Sequence, residues 1–466
     1  MPRVPVERSN TIAPARRCAF AALRRVFERG AYADEAFQAE ARELDARDRA
    51  LAMRLAYGAV QRRGTLDFLI ERLAERPPGR LDPPVLAALR LGLYELLYMD
   101  GSPDYAVVAD AVELAKARGS SGHGLVNAVL RRAAREGPTL LGALEDDTPE
   151  HAAVKHSHPE WIARLWWEEL GPAGARALMA FDNQPSEVAL RANTLVTDAP
   201  TLAAELLAGG QGAGADAPGV QPVESHLDPD IPEALVLDGP FDAHGSPLWQ
   251  AGAFLPQSRG AMLVARALDP HPGERVLDLC AAPGGKSTHL AALMDGSGEV
   301  LAVERSRRRA GLLSRTAQRL RASNVRVEVA DAALARPEGP VFDRVLVDPP
   351  CSGLGTLQVR ADLRWRVTAE AVAEMASAQA AILAAGAGAL RPGGVLVYST
   401  CTISPTENER LIAAFLDSHP DFGLENLTAE WPVLALEPST GSSGLVLTLP
   451  HRDRTAGFFI ARLRRS

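Results

Sequence analysis

Residues 275–293 read RVLDLCAAPGGKSTHLAAL. Arg275–Leu279 is a short apolar run with the composition of a buried parallel strand. It leads into a loop of small residues, Cys280-Ala281-Ala282-Pro283-Gly284-Gly285-Lys286, and then into a helical stretch, Gly285–Met294. A strand, a small-residue loop and a helix in that order let backbone approach a ligand whose polar end meets the helix N-terminus. The loop is neither GxGxxG nor a phosphate loop of the GxxxxGK[ST] kind, because the first glycine is missing. Taken alone it also reads as a tight turn that permits packing.

The pattern repeats outward. Glu299–Val303, Val325–Val329 and Arg344–Val347 read as strands and Arg307–Ala322 as a helix. This alternation predicts a doubly wound α/β fold with a parallel sheet, beginning near residue 245 and running to 466. LAVE ends in Glu304 and VEVAD in Asp331, each acid at the carboxyl end of its strand. Either acid alone would be an ordinary surface residue. Three consecutive strand ends carrying a glycine loop, an acid and an acid predict a nucleoside site, Glu304 for ribose hydroxyls and Asp331 for an adenine amino group. S-adenosylmethionine suits the loop better than a dinucleotide, since the pyrophosphate fingerprint is absent.

Two of the four cysteines stand just after strand-like runs, Cys351 in VLVDPPCSGLG and Cys401 in YSTCTISPTENE. The two prolines before Cys351 make an extended, stiff loop. A strand-end cysteine is commonly just a small buried hydrophobe. A thiol in this place also suits attack on cytosine C6, which activates C5 toward a methylsulfonium, with Asp348 bonding the N3/N4 edge of the base. Spacing leaves either cysteine as the nucleophile. Cys280 and Cys18 read as structural.

The rest of the chain is organised differently. Residues 10–140 are helical in pattern, with apolar spacing over Arg16–Arg29, Ala50–Arg62, Leu66–Ala74, Pro84–Met99, Tyr105–Arg118 and Gly124–Glu136, and with a break at Gly119–Gly124. Residues 137–157 lose periodicity and read as a linker. A small α+β module is expected over 158–240, from a helix at Pro159–Leu170, a strand at Glu187–Asn193 and a loop at Ala208–Pro222. No apolar run approaches the roughly 18 residues of a bilayer span, histidines and cysteines do not cluster at metal spacing, and the few cysteines suit a reducing compartment. A cytoplasmic, metal-free monomer is the expectation. Net charge is −8, but residues 1–140 carry +4, so whole-chain acidity does not argue against nucleic acid.

The strings LDLCAAPGGKSTHLAAL, VLVDPPCSGLG and YSTCTISPTENE closely resemble the RNA 5-methylcytosine methyltransferases of the NOL/NOP/Sun group. DRALAMRLAYGAVQRRGTLD, LRLGLYELLYMD and GLVNAVLRR resemble a NusB-type RNA-binding domain. The resemblance implies S-adenosylmethionine held by Cys280–Lys286, Glu304, Asp331 and Asp348. It also implies 16S ribosomal RNA as substrate, Cys401 as nucleophile and Cys351 as the thiol that aids product release. Transfer RNA is the alternative substrate, and a NusB-like RNA-binding factor with a vestigial catalytic half is the alternative of another class. Gln358-Val359, Ala361 and Ala456 depart from the family pattern, at positions of expected RNA contact rather than of chemistry. Gln61-Arg62-Arg63, Arg131–Arg135 and Arg305–Arg321 are basic runs suited to phosphates or to a solvated helix face.

Overall fold

The computed structural model describes residues 12–116, 121–209, 223–239, 241–334, 336, 339–431, 434 and 444–466. The loop expected at Ala208–Pro222 lies largely outside them, as do residues 119 and 120 of the expected break at Gly119–Gly124. The chain divides into two compact units. One comprises Met1–Gln184 with Val359–Arg366, the other Pro185–Gln358 with Val367–Ser466.

The first unit is helical, with Pro14–Arg29, Ala33–Glu40, Ala46–Gln61, Arg63–Ala74, Pro83–Tyr98, Asp104–Lys116, His123–Gly142, Pro149–His156 and Glu160–Phe181. Leu23, Leu55, Leu66, Leu69, Leu89 and Leu130 interdigitate in its core. Helices approach closely at Gly58, where an added Cβ would run into the Tyr94 ring. The linker expected over 137–157 is instead largely helical. His123–Gly142 runs through Pro138 because Leu140 and Leu141 pack on the core beyond it. Pro149–His156 starts on Thr148, whose Oγ1 accepts from the His151 N–H at 3.2 Å. Glu160–Phe181 is broken at Gly171 (φ 68°, ψ 169°) and belongs to this unit, not to the small module.

Val359–Arg366 completes the helical unit as a short strap containing the turn Ala361–Trp365. Arg364 is wholly buried and donates to the carbonyls of Ser157 (3.1 Å) and Asp182 (2.7 Å) and to Asn183 Oδ1 (2.9 Å). Trp365 Nε1 donates to the Val60 carbonyl at 2.8 Å, and Asp362 accepts from the Ala33 N–H at 3.2 Å. Of the stretch expected to meet RNA, Ala361–Arg364 is therefore core, while Val359 and Arg360 are exposed.

The second unit holds two sheets. β1 (Val188–Ala192), β2 (Ser225–Leu227), β3 (Ala234–Leu237) and β4 (Phe254–Pro256) form an antiparallel sheet in the order β2-β3-β1-β4. The larger sheet contains β5 (Arg275–Leu279), β6 (Glu299–Val303), β7 (Val325–Glu328), β8 (Phe342–Val347), β9 (Leu390–Thr400), β10 (Phe422–Glu425), β11 (Val446–Leu447) and β12 (Phe459–Arg465). Its order is β10-β12-β9-β8-β5-β6-β7, with β11 paired on β12. β9, β8, β5, β6 and β7 are parallel, and β12 joins antiparallel. Chain direction across the sheet reverses between β5 and β8, where ligands of open α/β sheets bind.

Among the described residues one helix, Ala369–Ala389, is long and apolar enough by length and composition to cross a membrane, although Glu370 and Glu374 interrupt its apolar run. It packs on the sheet through Ile382, Leu383 and Gly386. Gly386 is required there, since a Cβ would stand 2.8 Å from Val347 Cγ2.

Candidate functional site

Strand register assembles the site. Leu279 pairs with Val303 and Val347, and Val347 with Tyr398, so β6, β5 and β8 end on one row, which β9 passes at Tyr398. One residue beyond that row stand Glu304, Cys280, Asp348 and Ser399, and Cys351 and Cys401 follow a few residues later.

The loop after β5 begins with Cys280 at φ 65° and reaches Gly284 at φ 104° before the helix Gly285–Leu293. A Cβ at Gly284 would lie 3.2 Å from Leu313 Cγ, so glycine meets both a steric and a dihedral demand. Arg309 holds the loop by donating to the Ala282 carbonyl at 2.7 Å and pairs with Glu304 at 3.5 Å. Glu304 is 4% exposed and accepts from the Ser306 N–H at 2.7 Å. Asp331 is exposed and accepts from the Ala333 N–H at 3.0 Å, a local turn bond that does not tie it to the loop.

Burial, reinforced by Asp348, Asp278 and Glu304, pushes the Cys280 thiol up to about 12. Burial likewise pushes Asp278 up to about 7. Ser287 Oγ donates to its Oδ2 at 2.6 Å, while Oδ1 has no partner among the described residues. Arg309 and Lys286 are already paired with Glu304 and Asp348 beside the glycine loop, so neither is left to neutralise a pyrophosphate. Small side chains, a helix N-terminus and the Glu304 carboxylate fit a nucleoside that carries a sulfonium.

Lys286 points away from the role of a phosphate ligand. Its Nζ donates to Asp348 Oδ2 at 2.7 Å and lies 5.0 Å from the Phe458 ring centre. Burial works against its charge, yet Asp348, helped by Cys401 and Asp278, holds Lys286 above the usual lysine range. Ser399 Oγ donates to the other Asp348 oxygen at 2.9 Å.

The two thiols meet, with Cys351 Sγ 3.2 Å from Cys401 Sγ. That contact, then burial, then the charges of Cys401, Glu407 and Asp348 push the Cys351 thiol well above the ordinary cysteine range. Cys351 therefore keeps its proton, and the Lys286 ammonium stands near enough to Cys401 for the two to interact.

Several residues of the site escaped sequence reading. Asp278, an acid inside an apolar strand, carried a usable signal. Arg191 is wholly buried on β1 and donates to the Gly285 carbonyl at 2.5 Å, Thr288 Oγ1 at 3.0 Å and Gln257 Oε1 at 2.7 Å, bracing the cofactor loop from the small sheet. Glu407 and Asn408 were visible only as polar residues of the cysteine motif.

The basic runs behave unequally. Arg62 stacks on Tyr98 (4.9 Å), and Arg63 on Phe27 (5.0 Å) and Trp365 (5.1 Å), so both serve packing. Arg319 lies 3.3 Å from the Trp249 ring centre and donates to the Trp249 and Phe254 carbonyls. Arg131 and Arg135 line a surface hollow of about 500 Å³ with Tyr105, which is 79% exposed.

A doubly wound sheet whose carboxyl edge carries an acidic glycine loop and a thiol pair defines a methyltransferase domain. Residues 265–464 match the family model for 16S rRNA methyltransferase RsmB/F, and residues 13–135 match the NusB family. A probable ribosomal RNA small subunit methyltransferase B of Synechocystis sp. is 37% identical, covering 97% of this chain and 99% of that one. The ribosomal RNA small subunit methyltransferase B of Thermus thermophilus is 35% identical over 90% of this chain and 89% of its own. The crystal structure of PH0851 superposes with a TM-score of 0.81 at 28% identity, over 97% of this chain and 99% of that one. NSun6 from Pyrococcus horikoshii with SFG gives 0.56 at 25%, over 66% and 98%. The chain belongs to the 16S rRNA methyltransferase RsmB/F family, with a NusB-family helical domain ahead of the catalytic one.

Proposed function

We propose that this protein methylates C5 of a cytosine in small-subunit ribosomal RNA through a covalent Cys401–C6 adduct. The observation that carries the reading is the thiol pair at 3.2 Å, flanked by the Lys286–Asp348 ion pair. The names of the full-length relatives support the RNA class. Cys280–Lys286 and Glu304 would hold S-adenosylmethionine, which supplies the electrophilic methyl group that C5 attacks. Asp331 belongs to that set only as an adenine contact made from an exposed turn.

The protein's own groups divide the work. Cys401 thiolate forms the S–C6 bond as the C5–C6 π pair moves to C5, and Lys286 balances the thiolate charge beforehand. Asp348 accepts a hydrogen bond from the cytosine amino group and fixes the ring over Cys401. After methylation C5 loses its proton to water, while Cys351 keeps its own proton and donates it as a hydrogen bond to the departing Cys401 sulfur. The electron pair re-forms the C5–C6 double bond and the S–C6 bond breaks, returning Cys401 as thiolate. A base must leave its stack to reach these groups, so the target is a loop or a loosened helix. Arg131, Arg135 and Tyr105 offer the helical unit's phosphate and stacking contacts.

Cys401→Ala is expected to abolish methyl transfer, and Cys351→Ala to accumulate an RNA–protein adduct that survives denaturation. Adduct formation by Cys401→Ala would exchange the two roles. Bisulfite sequencing of ribosomal RNA with and without the gene tests the substrate; an unchanged cytosine map, with methylation of transfer RNA in vitro, would move the reaction there.

A further inference from the structure

The turn that follows Cys401 ends at Glu407 and Asn408, both with no exposed surface. Each of these neighbours grips a different cysteine. Glu407 Oε1 accepts from the Ser352 N–H at 2.9 Å, and Oε2 accepts from Ser352 Oγ at 2.5 Å. Oε1 also accepts from Gln379 Nε2 at 2.9 Å, and that same amide donates to the Pro350 carbonyl at 2.9 Å. Glu407 thus holds the residues on both sides of Cys351, one directly and one through Gln379. Tyr398 fixes the arrangement from behind, its hydroxyl lying 2.7 Å from the Glu407 carbonyl and 3.2 Å from Gln379 Oε1.

Asn408 does the same for Cys401. Its Oδ1 accepts from Thr400 Oγ1 at 2.6 Å, and its Nδ2 donates to the Thr402 carbonyl at 2.9 Å. The two clasps meet at a single link, Ser352 Oγ to Thr402 Oγ1 at 2.7 Å. Its direction is dictated by proton count. Ser352 spends its only hydroxyl proton on Glu407, so Thr402 donates to Ser352 and accepts in turn from the Ser404 N–H at 3.2 Å. Every proton along this line points toward the Glu407 carboxylate. A carboxylate, acceptor-only, can terminate such a chain while also receiving a backbone N–H and an amide. Buried and satisfied throughout, the network rigidifies both loops.

We infer that Glu407 and Asn408 are positioning residues with separable duties, Glu407 setting Cys351 for product release and Asn408 setting Cys401 for attack. The inference rests on the covalent reading above. Loss of either clasp misplaces one sulfur relative to the base, and a displacement of about 1 Å costs roughly 10²-fold in rate.

The test uses the full chain with S-adenosylmethionine and its RNA, in single turnover, measuring adduct formation and adduct resolution separately on denaturing gels. Glu407→Gln is expected to form adduct within about twofold of the parent and to resolve it at least ~10-fold more slowly. Asn408→Ala is expected to slow formation at least ~10-fold and to resolve what forms at the parent rate. Ser352→Ala, which removes the hydroxyl's bonds to Glu407 and Thr402, and Thr400→Val, which removes the bond to Asn408, leave the acid and the amide in place and should repeat the split more weakly. Calorimetric affinity for S-adenosylmethionine and the unfolding midpoint identify any variant that fails to fold, and the milder pair then decides. If the Glu407-side and Asn408-side variants slow both steps equally, or if Glu407→Gln resolves adduct normally, the inference is overturned. If the parent methylates but Cys351→Ala traps no adduct, the covalent reading itself has failed instead.

Discussion

Lys286 shows how one residue is reassigned by its surroundings. Next to glycines and before Ser287 it has the look of a phosphate ligand, yet its ammonium faces Asp348 and the Cys401 side of the cleft. Lys286→Met is therefore expected to slow adduct formation roughly 10²-fold. It should also move the pH at which formation reaches half its maximum upward, because the thiolate loses its cation. A pH–rate series in single turnover checks both. Asp278 makes a different prediction. Its folded value near 7 lies above the unfolded 3.8, so the folded chain binds the extra proton between them. Stability from this group is present below about pH 4 and is lost as pH rises through about 7. Asp278→Asn should flatten that fall in urea unfolding midpoints, and an unchanged slope would count against it. The acid inside an apolar strand was legible from sequence. Its protonation was not, because burial and Ser287 decide it.

At the scale of elements, strand and helix periodicity located β5, β6 and β7 and the helices between them closely, since alternating βα patterns carry two strong periods. The failures share a cause. Pro138 and the aperiodic stretch after it looked like a linker, but Leu140 and Leu141, partly buried on the core, hold helix there. Ala369–Ala389 has too little large apolar surface to show a clear face, and its packing depends on the gap that Gly386 leaves for Val347. Gly386→Val should overfill that contact and cost about 1–3 kcal/mol, measured by denaturant unfolding. The strap Val359–Arg366 carries the largest penalty. Arg364→Met leaves Asp182 buried without its countercharge; burial has already pushed that acid up to about 7, opposed only by Arg364. A loss of about 3–5 kcal/mol in the helical unit is expected.

Across the whole molecule, the strap means that the helical unit is not continuous in sequence. A fragment of residues 1–184 should unfold at lower urea than the same unit within the full chain, because the Arg364 and Trp365 bonds to Ser157, Asp182 and Val60 are missing. Equal midpoints would show that the strap contributes nothing. Replacing Arg131 and Arg135 by Glu should weaken RNA binding and reduce its salt dependence by about one unit of slope for each phosphate no longer neutralised. Local patterning was enough to establish the helical and doubly wound halves, the acid that follows β6 and the two thiol motifs. These depend on residue periodicity and on short motifs, whose physics is contained within a few residues. The meeting of Cys351 with Cys401, the Lys286–Asp348 pair, the Glu407 clasp on Ser352 and the capture of the strap at Ser157 join residues from 50 to 207 positions apart. Strand register and side-chain burial create them, and both exist only once the chain has folded.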